Sequence, residues 1–198
     1  MNPAPIKIGI TGTHSTGKSS FLEAVQQKLA DSNLSVCRIG DFASRAKSLG
    51  FPILKDHNFE STLWIIAECM RLEAEASLAY EVILVDRPVI DALGYLHAAL
   101  QLTGRKLGEG RSEELRTIVT AHTPDYDMLI TTSLDKAIGL GDGRDQDAEF
   151  RDAAASAIKT LVSEIAPGAL VLTSSNQDEI VQRALALISS GRRAAASR

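Results

Sequence analysis

Residues 9–20 read GITGTHSTGKSS, and their interpretation decides the fold. Gly12, Gly17, Lys18 and Ser19 stand at the spacing G-x-x-x-x-G-K-S. A loop of this composition packs no core. Its glycines let backbone N–H groups converge on an anion, and a helix starting at its far end adds the positive end of its dipole. Lys18 can reach the β- and γ-phosphates of a nucleotide, the Ser19 hydroxyl can ligate Mg²⁺, and Ser20 can donate to the α-phosphate. Thr13, His14, Ser15 and Thr16 fill the loop, where their backbone N–H groups matter more than their side chains. His14 is read as a spacer.

The flanks support that reading. Before the loop stands the apolar run IKIGIT (6–11), a buried strand. After it, residues 17–31 place Phe21, Leu22, Val25 and Leu29 on one helical face. The alternation continues along the chain. Strands are expected at 34–40, 81–86, 126–132 and 169–173. Helices are expected at 42–50, 58–80, from Pro88 through about 100, at 112–122, 148–165 and 176–190. EVILVD (81–86) is apolar almost throughout, as a strand covered on both faces must be. Such alternation predicts a three-layer α/β fold, a five-stranded parallel sheet flanked by helices. One domain is expected over 1–190, with 191–198 (GRRAAASR) as a flexible tail. Ligands of parallel sheets bind at the carboxyl ends of the strands. The residues just after each strand are therefore the candidates for chemistry.

Composition narrows the partners. The net charge of −4 gives no broad basic surface, so nucleic acid is not expected as a partner and any anion site must be local. No apolar run approaches the roughly 18 residues of a membrane span, and the start MNPAPIKIGI has no signal-peptide pattern. Cys37 and Cys69 have no metal-ligand spacing and read as buried reduced thiols, which suits a cytoplasmic protein. A homodimer is compatible with the sequence, which does not fix the oligomeric state.

The strand ends carry the acids and bases. The third strand ends in Asp86-Arg87-Pro88. A carboxylate there is the Walker B arrangement for Mg²⁺, and the adjacent cation suits a phosphoryl acceptor. Asp41 follows the second strand, with Arg45 one helical turn on. Asp41 can orient or deprotonate an attacking hydroxyl, or it can cap the helix. On the long helix, Trp64, Glu68, Arg71 and Glu75 form a stripe beside the apolar one. An aromatic beside a Glu and an Arg suits a ring-bearing substrate; a core-edge Trp next to an ion pair is the plainer reading. The segment GDGRDQDAEFRDA (141–153) carries Arg144 and Arg151 in an acidic, glycine-hinged stretch, read as a lid over about 139–151. Lid arginines can offset charge on a transferring phosphoryl group. No N-K-x-D guanine signature is present, which disfavours a signalling GTPase.

Together, GITGTHSTGKSS, DFASR (41–45), ILVDRPVIDALGY (83–95) and DGRDQDAEFR (142–151) resemble the P-loop kinase family that includes the NadR-type ribosylnicotinamide kinase domain and the ATPase-like domain of the TRPL translocation defect protein. The likeness runs over about residues 6–188. It implies a nucleoside/nucleotide kinase-like fold with a lid, and Lys18, Asp86, Arg144 and Arg151 as phosphoryl-transfer residues. Asp41 stands where relatives often carry Glu, a shorter reach to an acceptor. No nucleotidyltransferase or DNA-binding segment is visible in these residues, so a bifunctional role is not carried over. The expected activity is transfer from Mg-ATP to a nucleoside- or nucleotide-like acceptor. Ser19 and Asp86 would be on the metal, with Asp41, Arg45, Trp64, Glu68, Arg71 and Arg87 around the acceptor. The alternative is an ATP- or GTP-binding switch or ATPase acting through a protein or lipid partner.

Overall fold

The structure, a computed structural model, describes residues 4–13, 16–132 and 148–196, with side chains through 191. His14, Ser15, Arg144 and nearly all of the expected lid lie outside the described residues.

Five strands form one parallel sheet: β1 (Ile6–Thr11), β2 (Val36–Ile39), β3 (Val82–Asp86), β4 (Met128–Thr132) and β5 (Leu170–Leu172), in the order β2-β3-β1-β4-β5. Seven α-helices cover it: α1 (Lys18–Leu29), α2 (Phe42–Ser48), α3 (Phe59–Ala76), α4 (Val89–Thr103), α5 (Arg111–His122), α6 (Ala148–Ile165) and α7 (Gln177–Ala196). The fold is the α/β, five-stranded parallel architecture expected from the sequence. β1 is central, and its pairing sets Ile10 opposite both Asp86 of β3 and Ile130 of β4. The loop after β1 therefore opens between two neighbouring strand ends, where the chain switches direction across the sheet.

The two-residue period of the strands divides the core. Ile8, Ile10, Val82 and Leu84 turn toward α1 and α7, where they meet Phe21, Leu22, Val25, Ile180 and Ala184. Ile83 and Val85 turn the other way, into a larger cluster with Phe42, Ile66, Leu93, Leu96, Phe150 and Ile158. Both faces are buried, which is why the β3 sequence shows no polar alternation.

Several boundaries move. The long helix spans Phe59–Ala76, not 58–80: Asn58 caps it through a reciprocal box with Ser61, and the chain must turn by residue 77 to enter β3. The last helix runs six residues past the expected 190, to Ala196. Gly191 permits this, because a Cβ there would lie 2.6 Å from Ile6 Cδ1. Cys69 is buried as expected, but Cys37 is only half-buried; both are free thiols.

α4 and α6 pack closely at Gly94, where a Cβ would stand 2.4 Å from Ile158 Cγ1 and 3.3 Å from its backbone. Gly94→Ala gains helix propensity, yet overpacking of this kind costs about 1–3 kcal/mol. Thermal unfolding of the variant should show a net loss of stability, with α4 pushed off α6.

Candidate active site

The phosphate loop leaves β1 through Gly12, whose φ of 132° is open only to glycine. A side chain there would also strike Thr132, whose Oγ1 would lie 2.0 Å from the added Cβ. Gly17, at φ 86°, precedes the first turn of α1 and receives the N–H of Phe21 at 3.0 Å. Between them, Thr16 Oγ1 donates to the Thr13 carbonyl at 2.9 Å and meets Thr132 Oγ1 at 2.6 Å. Lys18 is buried and donates to the Thr13 carbonyl, folded back along its own loop. Ser19 and Ser20 are exposed on the opening turn of α1, and the Thr13 hydroxyl is buried without a partner among the described residues.

Asp86 ends β3 beside this loop. One carboxylate oxygen accepts from Arg38 Nη2 of β2 at 2.7 Å; the other is buried and has no partner among the described residues. This carboxylate oxygen at the end of β3 and the exposed Ser19 hydroxyl on the first turn of α1 are both hard oxygen donors. Magnesium in phosphoryl-transfer sites takes one or two such protein ligands and completes its shell with phosphate and water. Ser19 and Asp86 fit that ion.

Arg87 follows at φ 65°, a conformation that non-glycine residues hold only under constraint from their surroundings. Its backbone N–H is tied to the Ile10 carbonyl at 3.0 Å. Its guanidinium donates to the Gly12 carbonyl at 3.3 Å and the Tyr95 hydroxyl at 2.6 Å. Arg87 is thus built into the underside of the loop, not paired on the surface. Asp91, one turn further along α4, accepts from the Thr11 hydroxyl and from the Gly12 N–H at 3.2 Å. Burial pushes its carboxyl up to about 6, against the pull of Arg87 and Lys18. Asp91 was not singled out as a site residue in the sequence. The available signal was a carboxylate inside an otherwise apolar helix, VIDALGYLHAAL (89–100). Arg38, Thr132 and Tyr95 gave no comparable signal.

At the end of β2, Asp41 occupies the cap position of α2, but its side chain makes no capping hydrogen bond and its φ is 61°. The capping alternative is therefore corrected: an N-cap needs extended backbone to aim its oxygen at the helix, and left-handed Asp41 presents an exposed carboxylate instead. Arg45 reaches Glu68 at 2.5 Å, and Arg71 clasps the same carboxylate through Nε at 2.8 Å and Nη2 at 3.1 Å. The Arg71 hydrogen bonds, aided by Arg45, hold the Glu68 carboxyl below its ordinary value despite burial. Three of the expected acceptor residues thus form one network between α2 and α3. Trp64 sits half-buried at the core margin, its ring 5.5 Å from Phe51. That is the plainer of the two readings of this tryptophan.

Arg151 lies in the first turn of α6 and is 8% exposed. Its Nε and Nη1 are buried with no hydrogen-bond partner among the described residues. The neighbouring Phe150 ring is 5.8 Å from Tyr95, the residue that holds Arg87.

The AAA domain family matches over residues 7–176. This chain belongs to that family. Among solved structures, this AAA domain is similar to the NadR protein in complex with NR, at 12% identity, with a TM-score of 0.63 over 85% of this chain. It spans 45% of that NadR chain. It is also similar to deoxyadenosine kinase from M. mycoides, solved with dCTP or with dATP. The dCTP complex matches at 14% identity and a TM-score of 0.62, over 91% of this chain and 98% of the kinase. No match was found among curated proteins. The AAA domain thus has the fold of P-loop nucleoside kinases. Among its described residues, no helix is long and apolar enough to cross a membrane, and no cluster of three or more His, Cys, Asp or Glu side chains is arranged for a metal.

Proposed function

We propose that this AAA domain is an Mg-ATP-dependent small-molecule kinase, passing the γ-phosphoryl group to a hydroxyl or phosphate of a nucleoside- or nucleotide-like acceptor. The observation that carries the reading is the guanidinium of Arg151, buried in the first turn of α6 with two nitrogens that find no hydrogen-bond partner among the described residues. A buried cation with unsatisfied donors is costly. It becomes favourable when a transferring phosphoryl group supplies the charge.

The roles follow from the contacts. The loop 12–20 cradles the donor phosphates, and Lys18 exchanges the Thr13 carbonyl for them. Ser19 and Asp86 hold Mg²⁺, which neutralises phosphate charge. Arg87 braces the loop from below while Arg151, with Arg144 on the lid, meets the equatorial oxygens. Asp41, freed from capping, accepts the proton of the attacking hydroxyl. Arg45, Glu68 and Arg71 form the acceptor wall, with Arg71 and Arg45 fixing Glu68 as an ionised hydrogen-bond acceptor for a ring edge. A reducing cytoplasm suits the two free cysteines.

The test is transfer from Mg-ATP to a panel of ribonucleosides, deoxynucleosides, their monophosphates and nicotinamide riboside, with products separated by chromatography and a protein-free control. A phosphorylated product supports the kinase and names the acceptor class. Mg-ATP binding with no product from any acceptor favours a nucleotide-dependent switch. Within the kinase, Asp41→Asn should leave Mg-ATP affinity unchanged and slow transfer to an acceptor hydroxyl by about 10²–10⁴. Steady-state kinetics beside a binding titration check it, and unchanged transfer removes Asp41 from the mechanism.

A further inference from the structure

Beneath the phosphate loop lies a buried group for which the proposed reaction has no use. Asp91 is 3% exposed. It is fixed on α4 by its own backbone N–H, which donates to the Pro88 carbonyl at 2.9 Å. Its carboxylate takes the Thr11 hydroxyl and the Gly12 N–H. Arg87, from the preceding turn, takes the Gly12 carbonyl at 3.3 Å and lies 4.0 Å from Asp91 Oδ2. Two charged side chains, one just before α4 and one in its first turn, therefore hold the acceptor and the donor of a single residue, the one whose left-handed backbone starts the loop.

We propose that Asp91 is a positioning residue of the phosphate loop, which sets Gly12 together with Arg87 and takes up one proton from solvent when a nucleoside triphosphate binds. This rests on the nucleotide-binding reading of the loop.

The charge balance supplies the reason. The charged groups that face Asp91 are Arg87, between β3 and α4, and Lys18 on α1; from α3 the Cys69 thiol also feels its charge. Before nucleotide binds, both cations favour the carboxylate, and burial opposes them. A bound triphosphate brings several negative charges to Lys18, draws its ammonium away, and adds repulsion through a site with little water. Nearby negative charge and burial both favour the neutral acid. Protonation does not break the brace. A carboxylic acid keeps an acceptor oxygen for the Gly12 N–H and turns its O–H to the Thr11 hydroxyl, which can reverse its role. Because the unliganded carboxyl is already raised to about 6, the proton is available near neutral pH.

The sign follows. The proton is bound in the liganded state and lost in the free state as pH rises, so affinity weakens with rising pH. Between pH 5.5 and 7.5 the wild-type chain should lose about tenfold in Mg-ATP affinity relative to Asp91→Asn. Titration calorimetry at pH 7 in buffers of different ionisation enthalpy reads the proton directly. The unsubstituted protein should take up close to one proton more per Mg-ATP than Asp91→Asn; protons from the nucleotide itself are common to both. Asp91→Leu, which offers no acceptor, should weaken binding about tenfold or more, and Asp91→Asn should restore it. A carbon-13 carboxyl titration of the unsubstituted protein, with and without a non-hydrolysable ATP analogue, gives the same answer without any substitution: the Asp91 midpoint should move up. Tight Mg-ATP binding with equal proton counts and an unmoved midpoint overturns the role of Asp91 alone. No Mg-ATP binding by any chain overturns it together with the nucleotide site.

Discussion

Replacing Arg151 with methionine should lower kcat for phosphoryl transfer by about 10³-fold or more while raising the stability of the nucleotide-free protein. The two effects have one cause. The guanidinium is 8% exposed, and Nε and Nη1 find no partner among the described residues. An unsatisfied buried polar group costs about 1–3 kcal/mol, and more when charged. Methionine keeps the apolar stem beside Phe150 and removes that cost, so Tm should rise by several degrees, at about 2–4 °C per kcal/mol for a domain of this size. Under the proposed kinase reading the same guanidinium offsets charge on the equatorial oxygens in the transition state, so its loss should fall on kcat more than on nucleotide affinity. Thermal denaturation and steady-state kinetics on one preparation test both halves. A fall in Tm with unchanged kcat would make Arg151 a packing residue of α6.

The second large effect is on folding. Glu73→Ala should destabilise the chain by about 3–5 kcal/mol. Glu73 lies on the inner face of α3, 1% exposed, two residues beyond Arg71 of the acceptor network. Its two oxygens accept from the Tyr126 hydroxyl at 2.6 Å, His122 Nε2 at 2.8 Å, the Cys69 thiol at 3.3 Å and Lys7 Nζ at 3.4 Å. One carboxylate thus ties α3 to β1, α5 and the segment before β4. Removing it leaves the buried Tyr126 hydroxyl and His122 Nε2 without their acceptor. Glu73→Gln, which retains one acceptor oxygen, should cost less. Denaturant unfolding of the three chains gives the ranking, and equal midpoints would show that the network contributes nothing net.

The same group sets an acid limit. Burial alone would raise the Glu73 carboxyl, but the hydrogen bonds from His122 and Tyr126 outweigh it and hold the carboxyl below 4.5. A depressed carboxyl stabilises the fold above its unfolded value, and this is lost as pH falls through the folded value. The contribution should therefore be complete at neutral pH and be lost as pH falls through the lowered value of the folded carboxyl.

The amino-acid sequence by itself determined the sheet, the phosphate loop and the carboxylate that ends β3. Those signals are local. The strand before Gly12 is apolar, the glycine–lysine–serine spacing leaves few conformations that use it, and Asp86 stands at the end of a strand with no polar alternation. Local patterns also located α6 at 148–165 and α4 after Pro88, because Pro tolerates a first helical turn and few other places.

Only the tertiary structure decided which charges meet. The Arg38–Asp86 pair and the Arg45–Glu68 pair join residues far apart in sequence, and the Glu73 network spans Lys7 to Tyr126. No periodicity in the chain encodes such pairings, since they depend on strand order and on how α3 lies over the sheet. The fate of Asp41 was hidden for a related reason. Its side chain offers a cap in sequence, but a left-handed backbone turns it away from the helix, and that backbone is imposed by the geometry at the end of β2. Asp91 shows the limit most clearly. A lone acid in an apolar helix announces only that burial will be costly. That the cost is met at the first residue of the phosphate loop follows from β1 lying beside β3, which brings the start of α4 under Gly12.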